Sequence, residues 1–260
     1  MIFLLSVKWY GTMSLEIKYN NQSLIIDPFI RYNKRNDKVF ISNMSKYKNI
    51  IITHGHIDHT VDLPNLYKNK KCKIYCTKCV CKRLIKNNLT KHQLVEVKPN
   101  DNFKINNFNI KVYKSKHINF DLILVLKTVF SKDIFKYFKN LLFIIKNNFV
   151  CREKKQTVAY SIIIDDKSFF VLGSMNLDKN TKYPKDIDYL ILAYQGRSDL
   201  DKNVNDIIER INPKNVILSH FDNSFPPVSK DVNISNLKNI INKNINIIIP
   251  VYDKDIVLTK

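Results

Sequence analysis

A chain of 260 residues with 45% apolar and 25% charged side chains is long enough to bury one continuous core and too apolar to stay disordered. No run reaches the ~18 apolar residues that a spanning helix needs, so no helical membrane span is expected. The formal net charge of +20 fits a protein that meets phosphates, nucleic acid or an anionic membrane surface. It equally fits a compositional habit, since Lys, Asn and Ile crowd every loop, whereas a basic footprint clusters on one face.

The opening Met1-Ile2-Phe3-Leu4-Leu5-Ser6-Val7 is apolar, but it has neither a basic n-region nor a small-residue cleavage site. It reads as a first strand rather than a signal peptide, which predicts a cytoplasmic protein. Leu15 to Lys18 and Ser23 to Ile26 flank Asn20-Asn21, a pair that tolerates the positive φ of a tight hairpin turn. Ile50-Ile51-Ile52 is a short, fully apolar strand of the buried type. One residue later comes His54-Gly55-His56-Ile57-Asp58-His59, three imidazoles and a carboxylate in six residues. A strand that ends in such a loop aims several ligands into one small volume, as transition-metal binding requires.

Lys73-Ile74-Tyr75 and then Cys79 to Ile85 suggest a strand followed by a helix. Cys72, Cys76, Cys79 and Cys81 crowd this stretch, with Cys151 far away. Cys76-Thr77-Lys78-Cys79 has the spacing of half a zinc knuckle, but no second pair completes it, so reduced thiols are expected. Phe103 to Ile105 and Phe108 to Tyr113 form a hairpin around Asn106-Asn107, and His117 follows it. Val158 to Ile164 and Ser168 to Leu172 form another around Asp165-Asp166-Lys167. Tyr189 to Leu192 and Val216 to Leu218 read as short buried strands, the second followed by His220. Ser198 to Ile211 reads as a helix that stops at Pro213. Ile245 to Ile249 and Ile256 to Leu258 close the chain. Apart from His92, every histidine follows a strand-like run, which is how a metal site is built.

Residues 119–155 break the pattern. From Ser131 to Lys146, Ile134, Phe138, Leu141 and Ile145 form an apolar stripe, with Phe135, Leu142 and Phe149 beside it. Lys132, Lys136, Lys139 and Lys146 fall largely on the other side, which Phe143 shares. This is a basic amphipathic helix, read either as a lid packed on the domain or as a membrane-surface element.

The histidine block resembles the His-x-His-x-Asp-His signature of the metallo-β-lactamase superfamily. Trp9-Tyr10-Gly11-Thr12-Met13-Ser14 followed by Leu24-Ile25-Ile26-Asp27-Pro28 is similar to the opening hairpins of the branch holding ascorbate-6-phosphate lactonase and the phospholipase-D-like lipid hydrolases. The resemblance covers residues 7–120 and 156–225. It implies an α/β fold, an αβ/βα four-layer sandwich of two mixed sheets flanked by helices, with residues 1–260 forming a single domain that carries a basic helical insertion at about 119–155. It further implies that His54, His56 and His117 hold one metal and that Asp58, His59 and His220 hold a second. The expected cofactor is Zn2+, one or two ions, with Mn2+ or Fe as the other candidates. Water activated by such ions becomes the hydroxide nucleophile of a hydrolase, with Asp58 and Arg197 as catalytic candidates.

One position departs from the family. Its fourth motif supplies a bridging aspartate, but Val171-Leu172-Gly173-Ser174-Met175-Asn176 places Ser174 there. The second site is then weak, empty, or completed by Asp178 or Asp222. Asp27 is a candidate to orient a ligand histidine, and equally a cap for the turn before Pro28. Arg197, in Tyr194-Gln195-Gly196-Arg197-Ser198-Asp199, either clamps an anionic substrate group or only pairs with a nearby carboxylate. The leading expectation is a hydrolase of an ester, lactone or phosphodiester bond in a small or lipid-like substrate, with peripheral contact to an anionic membrane. The alternatives are a nuclease of the same superfamily and a non-catalytic metal-binding or membrane-associated protein. The lack of an aromatic–basic stacking motif argues against nucleic acid.

Overall fold

The computed structural model describes residues 4–31, 37–118, 131, 133–148, 156–197, 199–226, 229, 231–235, 237, 241 and 244–258. Of the expected insertion, residues 119–130, 132 and 149–155 lie outside the described residues.

Fourteen strands among the described residues form two seven-stranded sheets. The first takes β1 (Leu5–Trp9), β2 (Leu15–Tyr19), β3 (Gln22–Ile26), β4 (Asn49–Ile51), β5 (Lys73–Cys76) and β6 (Leu94–Glu96) in chain order, with β14 (Asp255–Val257) on the edge beside β1. The second runs from β7 (Asn102–Ile105), β8 (Phe108–Lys114), β9 (Val158–Ile164) and β10 (Lys167–Leu172) to β11 (Tyr189–Ala193), β12 (Asn215–Ser219) and β13 (Asn246–Ile248). Each sheet is antiparallel on one side and parallel on the other: β3 to β6 run parallel in the first, and β10 to β13 in the second. The hairpin turns sit where the asparagines and aspartates predict them, with Asn20, Asn106 and Asp165 all at positive φ.

The two sheets face each other across one core, in which Val7, Leu15 and Ile17 of the first sheet pack with Val112, Tyr160 and Phe169 of the second. Helices cover the outer faces. On the first sheet lie α1 (Lys38–Met44), α3 (Leu63–Tyr67) and α4 (Lys78–Lys86), which bury Phe40, Leu66 and Leu84. A four-residue helix, α2 (Ile57–Thr60), carries part of the histidine block. Upstream of β9 lie α5 (Asp133–Lys136) and α6 (Phe138–Asn148). Helix α7 (Leu200–Ile211) buries Leu200, Val204, Ile207, Ile208 and Ile211 against the second sheet. That is one stripe of a 3.6-residue repeat, and the helix ends at Asn212 in a left-handed cap before Pro213. The layers are αβ/βα, as the sequence predicts.

Three strands keep the two sheets from following the two halves of the chain. The β7–β8 hairpin crosses to the second sheet, where β8 pairs with β9. The final strand β14 returns to the first sheet and pairs with β1.

The orientation of α6 differs from the sequence expectation. Phe143, placed by sequence among the lysines, packs against Phe225 with ring centroids 6.0 Å apart. Asn140 is buried and donates from Nδ2 to the Pro226 carbonyl at 2.7 Å. Anchored at these two positions, one turn apart, the helix turns Phe138 and Leu142 to solvent. Of the predicted stripe only Phe138 and Leu141 have described side chains, and the contacts found are those of Asn140 and Phe143.

Candidate metal centre

Parallel strands end together, and their ends carry the site. The β4 strand runs through Ile52 and Thr53 into His54, β8 leads to His117, β10 to Gly173 and Ser174, and β12 to His220. In α/β sheets such carboxyl-terminal strand edges are where ligands bind. His220 adopts φ +58°, and its backbone N–H donates to the Thr12 carbonyl at 2.7 Å, which turns the chain sharply off the strand.

The side chains predicted to be ligands converge in two groups. One donor atom each from His54, His56 and His117 lie within 4.8 Å of one another, as do those from Asp58, His59 and His220. The groups adjoin, with the His54 and His59 ring centroids 4.0 Å apart. All six residues line one cavity of ≈ 150 Å³. Its remaining walls include the apolar Ile57, Ile118, Ala193 and Phe225.

A network of hydrogen bonds fixes the imidazoles. Asp27, fully buried, receives the Thr53 backbone N–H on Oδ1 at 2.8 Å and the Thr53 hydroxyl on Oδ2 at 2.5 Å. His59 Nδ1 lies 2.7 Å from the same Oδ2 and donates to it. With its proton committed to Asp27, Thr53 Oγ1 accepts from His54 Nδ1 at 3.0 Å. His117 donates from Nδ1 to the Ile118 carbonyl at 2.6 Å. In each ring the proton on Nδ1 leaves Nε2 as a lone-pair donor. Asp27 thus holds the His59 ring, the geometry that an orienting role needs, and Thr53, which no motif singles out, links it to His54. Arg83 of α4 also holds the loop, donating to the Gly55 carbonyl at 3.2 Å and to Thr60 Oγ1 at 3.0 Å.

Electrostatics favour neutral bases here. Burial, helped by the neighbouring imidazoles, pushes His54 well below its ordinary value. Burial likewise lowers His56 to about 3 and His117 to about 4. For Asp58 burial alone would push upward, but His59, His220 and His56 outweigh it and hold the carboxyl well below the usual range. His220 Nε2 lies 2.8 Å from Asp58 Oδ2.

The donor set fits a borderline transition metal. His54 Nε2 and His220 Nδ1 are buried without a hydrogen-bond partner, an arrangement that costs free energy unless another group meets the lone pair. Imidazoles with a single carboxylate are the ligands that zinc, iron and manganese sites use.

Ser174 also lines the cavity, and its Oγ accepts the Ile118 N–H at 2.9 Å. Neither proposed substitute carboxylate joins the donors. Asp178 pairs with Lys114 at 3.1 Å and Lys116 at 3.4 Å, and Asp222 accepts the Thr12 N–H at 3.0 Å and the Ser224 hydroxyl. Arg197 Nη2 donates to Asp199 Oδ2 at 2.9 Å. The loop lines the cavity through Gln195 and Gly196.

A family model described as Beta-lactamase superfamily domain matches residues 23–122, which span β3 through the His117 loop. The metallo hydrolase Igni18 of Ignicoccus hospitalis superposes with a TM-score of 0.66 over 98% of both chains at 12% identity. The metallo-beta-lactamase fold protein YhfI of Bacillus subtilis gives 0.62 over 98% of this chain and 100% of its own, at 13% identity. Residues 23–122 thus match the beta-lactamase superfamily domain, and the described residues share the metallo-β-lactamase fold. Among curated proteins, a UPF0173 metal-dependent hydrolase of Flavobacterium johnsoniae is 34% identical over 65 residues, 25% of this chain and 28% of that protein. The matches to the first curated relatives span half of those proteins' length or less.

Proposed function

We propose that this metallo-β-lactamase-fold protein is a metal-dependent hydrolase of an ester, lactone or phosphodiester bond in a small or lipid-like substrate. The observation that carries the reading is the pair of three-donor groups lining a single cavity, with His54 Nε2 and His220 Nδ1 buried and without a hydrogen-bond partner. The name metal-dependent hydrolase borne by the Flavobacterium relative supports it.

In this reading His54, His56 and His117 hold the first metal, and Asp58, His59 and His220 the second. Zinc is favoured by the imidazoles, with manganese or iron as alternatives. When bound, such ions supply Lewis acidity toward the substrate oxygen and a lowered pKa for water. The chain's own groups do the rest. Asp27 and Thr53 keep His59 and His54 in the donor tautomer. Asp58, held ionised among its histidines, is the acceptor placed to orient the attacking water. Ile57, Ile118 and Phe225 exclude bulk water and receive an apolar substrate group. Arg197, steadied by Asp199, stands beside Gly196 and is proposed to meet an anionic group at the rim.

The test is elemental analysis of the purified protein and its His56→Ala variant, with hydrolysis of short- and long-chain nitrophenyl esters, a lactone and a nitrophenyl phosphodiester. Metal and hydrolysis lost together in the variant support the proposal, and a preference for long chains supports the lipid-like substrate. Tight metal with no hydrolysis would replace it with a binding protein. Salt-dependent nucleic-acid cleavage would replace it with the nuclease reading.

A further inference from the structure

We propose that the outward face of α5 and α6 is a docking surface for an anionic lipid membrane. The anchors of α6 point inward at Asn140 and Phe143, and Phe135, on α5, lies out in water together with Phe138 and Leu142, which sit roughly half a turn from those anchors at 3.6 residues per turn. Phe135, Phe138 and Leu142 are 86%, 53% and 50% exposed, and they include the only exposed phenylalanines among the described residues. Large aromatics left in water on one helical face mark an interaction site rather than ordinary surface.

Charge selects the partner. Lys136 and Lys139 are exposed in the same two helices, and Lys136 Nζ lies 5.2 Å from the Tyr137 ring centroid. From 133 to 148 the chain carries Lys136, Lys139 and Lys146 against a single acid, Asp133, and the whole chain carries +20. A second copy of so basic a chain is repelled, whereas an anionic bilayer attracts it. Each lysine near such a surface raises affinity roughly fivefold, and aromatic side chains settle at the headgroup boundary. No described helix is long and apolar enough to cross a membrane, so the contact is peripheral. The inner side of α6 rests on Phe225, a wall of the metal-facing cavity, and on α2, which carries Asp58 and His59. Docking through the outer side places that cavity next to the bilayer.

This goes beyond the hydrolase reading, because binding is scored without substrate and either proposal can fail alone. The full-length protein is floated with phosphatidylcholine vesicles and with vesicles containing a third phosphatidylglycerol. Co-flotation with the anionic vesicles only is expected. Phe135→Ser/Phe138→Ser/Leu142→Ser should cut the bound fraction at least about tenfold, and Lys136→Glu/Lys139→Glu should weaken binding by about 25-fold or more at low salt. All five side chains are exposed, so circular dichroism and metal content should match wild type. Absence of flotation with anionic vesicles, equal flotation of wild type and triple variant, or an apolar-face-dependent dimer that ignores vesicles each overturns the proposal.

Discussion

His59 Nδ1 and Asp27 Oδ2 lie 2.7 Å apart with both side chains shut off from solvent, 32 residues distant in sequence. The contact exists because β3 and β4 run parallel with Ile26 opposite Ile51, which carries Asp27 and Thr53 side by side off the strand ends. Asp27 holds φ +44°, a backbone that asparagine also tolerates. Asp27→Asn should therefore fold. Its amide must either present Nδ2 toward His59 Nδ1, inverting the tautomer, or turn Nδ2 toward the Thr53 backbone N–H and lose that hydrogen bond. Metal affinity should fall by about 10- to 100-fold, measured by competition with a chromophoric chelator. Unaltered affinity would remove Asp27 from the site.

Gly173 owes its identity to Thr53. A Cβ there would sit 2.2 Å from Thr53 Oγ1 and 2.6 Å from its Cβ, with no flexible side-chain end to give way. Gly173→Ala should cost about 1–3 kcal/mol of stability by overpacking, read as a lowered Tm. It should also loosen His54, so metal affinity should drop in the same variant. A drop in Tm with metal affinity intact would show that Thr53 does not relay orientation to His54.

Much of this was legible in sequence, for identifiable reasons. Hairpin turns announce themselves because Asn20, Asn106 and Asp165 are residues that accept positive φ, and the candidate metal donors stand out because His54, His56 and His59 fall within six residues. The relay through Thr53 was hidden because a threonine at a strand end has no signature until the β3–β4 register is known. Helix α2 has four residues, too few to show a 3.6-residue period. The burial of Asn140 is not legible in sequence because an asparagine in a lysine-rich helix looks like a surface residue, yet its amide finds the Pro226 carbonyl. The outer partners of each sheet were also out of reach, since β14 pairs with β1 across nearly the whole chain.

Ser174 lines the cavity with a neutral hydroxyl already accepting from Ile118. A hydroxyl is a weaker ligand for a divalent ion than a carboxylate, so the two donor groups should fill unequally. Titration with zinc or manganese should show one tight equivalent and one weaker. Ser174→Asp keeps an acceptor for the Ile118 N–H and adds charge, and it should tighten the second equivalent. Two equal equivalents in wild type would mean that the asymmetry argument is wrong.

Stability of the metal-free protein should fall as the pH is lowered. Burial holds His56 at about 3 and His117 at about 4, against an ordinary 6.5. Below pH 6.5 an unfolded chain takes up protons at both positions, while the folded chain refuses them until pH nears those lower values. The unfolded state thus binds more protons across this window, and each histidine removes up to about 1.4 kcal/mol per pH unit. The stabilisation is fully present above pH 6.5 and is lost for His117 by about pH 4 and for His56 by about pH 3. Urea unfolding of chelator-treated protein at pH 7.5, 6 and 5 measures the slope. His56→Ala/His117→Ala should reduce it, because two of the three bases lowered by burial are gone while His54 remains. A metal-free wild type equally stable at pH 7.5 and 5 would contradict the burial of neutral imidazoles on which the site depends.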